Sequence, residues 1–196
     1  MRMYAICWSL LCLPCGVLSA AVTPVRPDVA VLCSGCHGPD GNSEVGHYPR
    51  LAGQGKNYLI KQLKDFRSGA RKEQHMSSMV EAISPADIPL LADWFAGQSP
   101  KSHHKTTATT GQQIFQNGIE QKGVAACAGC HGEAGQGNDA IGFPRLAGQQ
   151  REYLAKQLRD FRNGTRRNDN MIMQGIAKQL SDAEITALAT YLAAGI

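Results

Sequence analysis

Residues 33–42 read "CSGCHGPDGN", and the pattern returns at 127–138 as "CAGCHGEAGQGN". Two cysteines spaced by two residues and followed at once by a histidine serve three chemistries: zinc binding, thiol redox exchange, or covalent attachment of haem. Zinc held by four thiolates would draw both copies around one ion and leave His37 and His131 without a role. A redox dithiol belongs beside a strand–helix–strand pattern, and the sequence offers none. Haem attachment uses both thiols and the histidine. Cys33 with Cys36, and Cys127 with Cys130, would add across the two vinyl groups of a porphyrin. His37 and His131 would then fall beneath the two irons as metal ligands.

The remaining cysteines lie in the N-terminal stretch "MRMYAICWSLLCLPCGVLSAAV", which carries Arg2, an apolar run and the small residues Ser19, Ala20 and Ala21. That order is the layout of a secretory signal peptide over residues 1–20, cleaved near Ala20. Pro14 and Gly16 interrupt the run, which is short for a membrane span of roughly 20 residues. Cleavage removes Cys7, Cys12 and Cys15 and leaves four cysteines, all inside the two pentads. An exported chain with four cysteines would otherwise suggest disulfides. Here one motif claims every one of them.

The chain is a tandem repeat. "PRLAGQGKNYLIKQLKDFRSGAR" from Pro49 matches "PRLAGQQREYLAKQLRDFRNGTR" from Pro144 without a gap, and "SPADIPLLADWFAG" from Ser84 matches "SDAEITALATYLAAG" from Ser181. The expected organisation is a first domain over residues 21–98, a polar, Thr-rich linker over 99–110 and a second domain over 111–196. Both copies read as helical. Tyr58, Leu59, Leu63 and Phe66 recur at helical spacing before Gly69, as do Tyr153, Leu154, Leu158 and Phe161 before Gly164. Ser84 with Pro85 and Asp87 predicts a helix start, and Ser181 with Glu184 a capping box. The expected fold class is therefore all-α, in two similar lobes. Lobes this small are short of core, and only 6% of the chain is aromatic. A large apolar cofactor in each would supply the missing interior.

A histidine fills one axial position of an iron, and methionines are candidates for the other. Met76 lies eight residues before Ser84, and Met173 eight before Ser181, so these two are equivalent. Met79 aligns with Ile176 and Met171 with Gln74, so both are expected to be core fillers. His75 aligns with Ile172 and is a weaker rival to Met76. His47, His103 and His104 are expected to be solvated. Methionine opposite histidine raises a haem potential and closes both axial positions, which suits electron transfer and disfavours oxygen or peroxide chemistry.

Taken together, the two CXXCH lobes, the repeated "PRLAGQ…YL.KQL.DFR.G" and the late "MIM.G.A..LS" resemble the cytochrome c4 family, the dihaem class I c-type cytochromes. The resemblance covers nearly all of the chain after residue 20. It implies two tandem cytochrome-c-like domains related by a pseudo-twofold axis, each around one covalent haem c. The implied metal ligands are His37 and Met76 for the first iron and His131 and Met173 for the second. It also implies that the carbonyl oxygens of Pro49 and Pro144 accept a hydrogen bond from the free ring nitrogen of each histidine, and that Arg50 and Arg145 pair with haem propionates. One departure stands out. "GQQIFQNGIEQKGVAA" before Cys127 contains an N-terminal helix with Gly111 and Phe115, whereas about a dozen residues, with Pro24 and Pro27 among them, separate the cleavage point from Cys33. The first helix of the first lobe is expected to be short, and that lobe less stable or its haem more exposed.

The expected function is that of a periplasmic electron carrier in a respiratory chain, not an enzyme. The resemblance implies a quinol-oxidising bc-type complex as donor and a terminal oxidase or reductase as acceptor. The competing reading is the dihaem electron-transfer subunit of a redox enzyme such as flavocytochrome c sulfide dehydrogenase, with a flavoprotein partner. A dihaem peroxidase or gas sensor would need an open iron site, which the paired methionines disfavour. The formal charge of +4 falls to +3 once Arg2 is cleaved, and the two lobes are each nearly neutral. No basic patch points to nucleic acid. A peripheral association with the membrane is compatible with this charge.

Overall fold

The structure is a computed structural model and describes residues 26–101 and 110–195. The proposed signal peptide with Cys7, Cys12 and Cys15, most of the linker, and His103 and His104 lie outside the described residues. Among those described, the chain is helical and forms no sheet; two isolated antiparallel bridges, Ile119 with Val124 and Asn138 with Phe143, both fall in the second lobe. The all-α expectation holds.

The first lobe contains α1 (Val31–His37), preceded by a single 3-10 turn at Asp28–Ala30, then α2 (Lys56–Ser68), α3 (Gln74–Met79) and α4 (Asp87–Ala96). The second contains α5 (Thr110–Asn117), α6 (Ala128–His131), α7 (Arg151–Asn163), α8 (Ile172–Ala177) and α9 (Asp182–Ala193). The sequence explains where these helices stop and start. Gly69 and Gly164 close α2 and α7 in the left-handed conformation, at φ 77° and 74°, which a residue without a Cβ adopts at no steric cost. Ser181 and Glu184 form a reciprocal capping box at the start of α9. Ser84 and Asp87 exchange the same kind of bonds: the Asp87 N–H donates to Ser84 Oγ at 3.3 Å, and the Ser84 N–H donates to the Asp87 carboxylate at 3.1 Å. Regular helix begins only at Asp87, so the Ser84 cap holds an irregular first turn.

Each lobe has its own core. Leu59 and Phe66 of α2 pack with Val80, Ile83, Leu91 and Phe95 in the first; Leu154 of α7 packs with Ile114, Phe115, Ile185, Leu188 and Tyr191 in the second. Burying each such side chain is worth about 1.5–3 kcal/mol. In the second lobe, α5 crosses α9 at very close range. A Cβ on Gly111 would run into the carbonyl oxygen of Ala187 and lie 2.8 Å from Tyr191 Cβ, so only glycine permits this approach.

The lobes meet along a pseudo-twofold interface whose central contacts come in reciprocal pairs. Arg71 donates to Gln62 Oε1, Gln157 Oε1 and Tyr153 Oη, each at 2.9 Å. Arg166 donates to Gln157 Oε1 at 2.7 Å, Gln62 Oε1 at 3.0 Å and Tyr58 Oη at 3.1 Å. The two buried guanidinium groups thus share the same two glutamines. Each also lies over a phenylalanine of its own lobe, Arg71 over Phe66 and Arg166 over Phe161. Burial pushes the Tyr58 phenol up, but the neighbouring Arg166 and Arg71 outweigh that push and hold it below its usual value. The helix starts are tied across the interface as well. The Asn57 N–H of α2 donates to Asp139 Oδ1 at 2.7 Å, and the Tyr153 N–H of α7 donates to the Gly46 carbonyl at 3.1 Å.

Candidate functional site

Each pentad sits at the end of a short helix, with α1 and α6 terminating at His37 and His131. Both rings are buried, at 5% and 7% exposure. His37 Nδ1 lies 2.8 Å from the Pro49 carbonyl oxygen, and His131 Nδ1 lies 2.9 Å from that of Pro144. A carbonyl oxygen only accepts, so Nδ1 must carry the proton and donate. The other nitrogen, Nε2, therefore keeps its lone pair in the neutral ring and is the atom able to bind a metal. Burial holds both imidazoles below their usual pKa, against the opposing pull of the proline carbonyls, which favours the neutral, ligating form.

The thiols divide in the same way in both copies. Cys33 and Cys127 are partly buried, Cys36 and Cys130 are exposed, and none is in a disulfide. Burial pushes the thiols of Cys33 and Cys127 up to about 11. Among the described residues, no three His, Cys, Asp or Glu side chains gather to hold an ion, so the four thiols do not share a zinc site. Each lobe instead presents one inner thiol, one outer thiol and a ring with a free Nε2. That donor set fits a porphyrin bonded at one edge and ligated from below.

Met76 lies in α3, partly buried against the same core cluster that Cys33 touches. Met173 lies in α8 and is also partly buried. The backbone N–H of each is held by an acid that sequence reasoning missed. Glu73 caps α3 and accepts from Met76 N at 3.0 Å, and the Asp169 carboxylate accepts from Met173 N. The second lobe is two residues longer between Arg166 and Met173 than the first is between Arg71 and Met76. The extra length appears where Asn170 and Met171 both take positive φ, at 53° and 66°. No pattern in the sequence marks Glu73 and Asp169 as equivalents, because the insertion shifts one against the other.

Two expectations need correction. Met79 and Met171 do not fill the cores: they are 38% and 62% exposed. Met79 ends α3 outside the cluster that holds Met76, and Met171 sits in the left-handed turn before α8. His75 is exposed beside Glu73, at 3.5 Å, and His47 is exposed against the Tyr48 ring. Arg50 and Arg145 lie at the interface. The Arg50 guanidinium donates to the carbonyl oxygens of Gly148 at 2.6 Å and Ser43 at 3.1 Å, and Arg145 Nε to that of Ala147 at 3.2 Å.

A family model for cytochrome c matches this chain twice, over residues 29–97 and 108–195. Cytochrome c4 of Azotobacter vinelandii is 41% identical over 176 residues, spanning 83% of this chain and 84% of that one. The chain belongs to the cytochrome c4 family. The crystal structure of reduced recombinant cytochrome c4 from Pseudomonas stutzeri superimposes with a TM-score of 0.81 at 40% identity, covering 85% of this chain and 95% of the other. A protein of Stutzerimonas stutzeri (strain A1501) named as a thiosulfate dehydrogenase electron acceptor is 38% identical over 172 residues, 84% of this chain and 79% of that one. As a member of the cytochrome c4 family, the chain is a dihaem electron carrier with two covalent haem c groups, one for each CXXCH motif.

Proposed function

We propose that the chain carries electrons in the periplasm between a quinol-oxidising bc-type complex and a terminal oxidase or reductase. Cys33, Cys36, Cys127 and Cys130 attach the two haems; His37 with Met76, and His131 with Met173, are the axial pairs. When bound, each haem supplies a one-electron ferric–ferrous couple. The observation that carries this reading is the duplicated, buried histidine with Nδ1 fixed on a proline carbonyl and Nε2 left to ligate. Pro49 and Pro144 hold the ring orientation, and Glu73 and Asp169 anchor the backbone of the opposing methionines. Ligands fixed from both sides let little move when the charge on iron changes. Arg50 and Arg145 would balance propionate charge. Export rests on the N-terminal sequence; among the described residues no helix is long and apolar enough to cross a membrane.

A second reading draws on the relative named as a thiosulfate dehydrogenase electron acceptor. In it the chain takes electrons from a dehydrogenase, or stands as the haem subunit of a flavoprotein complex, and the same two sites do the same work. Purification from the native source separates the two: a free carrier runs alone, and a subunit brings its dehydrogenase with it.

The test is expression with haem maturation. The mass should show two haems, and the spectrum two histidine–methionine sites. Met76→Ala and Met173→Ala should each abolish the methionine-type band of one haem. A spectrum unchanged in both variants, or rapid CO binding by the reduced native protein, would overturn the ligand assignment.

A further inference from the structure

The two site histidines do not end their hydrogen-bond chains at the prolines. The Pro49 carbonyl and the Arg50 N–H belong to one peptide group. His37 Nδ1 donates to its oxygen at 2.8 Å, and its N–H donates onward to Oε1 of Gln149 at 2.7 Å. Gln149 belongs to the other lobe. Its Nε2 returns a bond to the Arg50 carbonyl at 2.8 Å, so the side-chain amide grips that residue at two points. The pattern repeats with the lobes exchanged. His131 Nδ1 donates to Pro144 O at 2.9 Å, Arg145 N–H donates to Gln54 Oε1 at 2.7 Å, and Gln54 Nε2 donates to Arg145 O at 3.0 Å. Both glutamines are 6% exposed. Their amide orientation is fixed, because a backbone N–H can only donate to oxygen and a backbone carbonyl can only accept from nitrogen.

We propose that Gln149 tunes the first haem and Gln54 the second, each acting from the opposite lobe through a single polarised peptide group. This rests on His37 and His131 being axial ligands, as proposed above. In a trans peptide the C=O and N–H point to opposite sides of one conjugated plane, so a bond made at one end strengthens the other. An acceptor on the Arg50 N–H places more negative charge on the Pro49 oxygen. That oxygen then draws the His37 Nδ1 proton more strongly and makes Nε2 a better donor to iron. A better donor stabilises the ferric state and lowers the potential. Gln149 and Gln54 are therefore positioning residues.

The glutamines are also rigidly held. Gln149 Oε1 accepts a second bond, at 2.9 Å, from the N–H of Gln150, the residue that opens α7. Gln54 Oε1 accepts at 2.9 Å from the N–H of Gly55, which opens α2. One oxygen thus joins the start of a helix in its own lobe to the peptide behind the histidine of the other. Any shift of one lobe on the other stretches both relays at once.

The test is Gln149→Met, which removes the acceptor without adding charge, in the full two-haem protein. NMR-monitored potentiometry follows the haem methyl resonances of each site separately. The expected result is a rise in the potential of the first haem larger than any change in the second, with faster solvent exchange of the His37 ring N–H and unchanged exchange at His131. Gln54→Met should reverse the assignment. Should the methionine variant fail to fold, Gln149→Glu retains an oxygen facing Arg50 N–H and should lower the first potential more than the second. Changes confined to the second haem, equal shifts of both, or no shift at all would overturn the relay. Failure of the axial assignment is distinguishable, since it appears in the unmutated protein as a spectrum without histidine–methionine bands.

Discussion

The two lobes build the same site on different foundations. In the second, α5 lies across α9, with Phe115 fully buried against Tyr191 and Gly111 pressed on the Ala187 carbonyl. In the first, a single 3-10 turn at Asp28–Ala30 runs straight into the pentad helix α1. Ala30 is buried in the core there, with Val29 and Cys33 packed beside it, and Trp94 stands where the second lobe has Tyr191. Yet the histidine–proline bonds differ by only 0.1 Å, at 2.8 and 2.9 Å. The site geometry is thus set by the pentad and the PRLAGQ loop, while the N-terminal helix closes the lobe and contributes stability. The two roles can be separated by mutation.

The largest effect should come from Phe115→Ala, which empties a fully buried position and costs about 3–5 kcal/mol. Chemical denaturation read by hydrogen exchange should show α9 losing protection while α4 keeps it. A uniform loss would mean that the lobes unfold as one unit and that the contrast has no energetic meaning. Gly111→Ala comes next, at about 1–3 kcal/mol, because the new methyl meets a backbone carbonyl that cannot turn aside. Its haem spectrum should remain that of the unmutated protein, which would sharpen the division between closing the lobe and shaping the site.

Smaller effects probe the ends of the C-terminal helices. Ser181→Ala and Ser84→Ala should each cost about 1 kcal/mol, measured by thermal unfolding, since each removes a side-chain acceptor at a helix start. The smallest concerns acid. Lys122 and the Ser181 backbone and hydroxyl hold the Glu184 carboxyl down to about 2, below its ordinary 4.5. The folded state thus prefers the charged form. This contribution is complete above pH 4.5 and disappears as pH falls towards 2. Glu184 is near the surface, so the effect is about 0.2–1 kcal/mol. Glu184→Gln should remove that part of the acid sensitivity, and an unchanged acid-unfolding curve would show that the pair contributes nothing.

Much of this architecture was legible because duplication writes each instruction twice. The pentads, Gly69 with Gly164, and Ser84 with Ser181 each use a local rule, satisfied by neighbours in the chain. The matching positions of Met76 in α3 and Met173 in α8 were legible too, but the acids that hold their N–H groups were not, since an insertion separates Glu73 from the frame of Asp169. Met79 and Met171 misled because a methionine near a suspected crevice reads as filling, whereas helix direction and the Asn170–Met171 turn carry both to the surface. Least visible were the partners across the interface. Arg71, Gln62, Tyr58 and their equivalents look like ordinary polar positions of amphipathic helices until the second lobe is present. The repeated PRLAGQ did carry a clue: its Gln is retained in both copies although the next residue changes from Gly55 to Gln150.

That loop is self-complementary. Its glutamine grips the backbone of the arginine four positions earlier in the opposite copy, and that copy's glutamine does the same in return. A surface that recognises itself in this way is what an isologous homodimer requires. One lobe therefore holds the instruction for these four bonds, and two unlinked single-lobe chains could satisfy them. Fusing them adds no new recognition. It turns a concentration-dependent encounter into an intramolecular one, and it frees each half to diverge while its mate keeps the bargain.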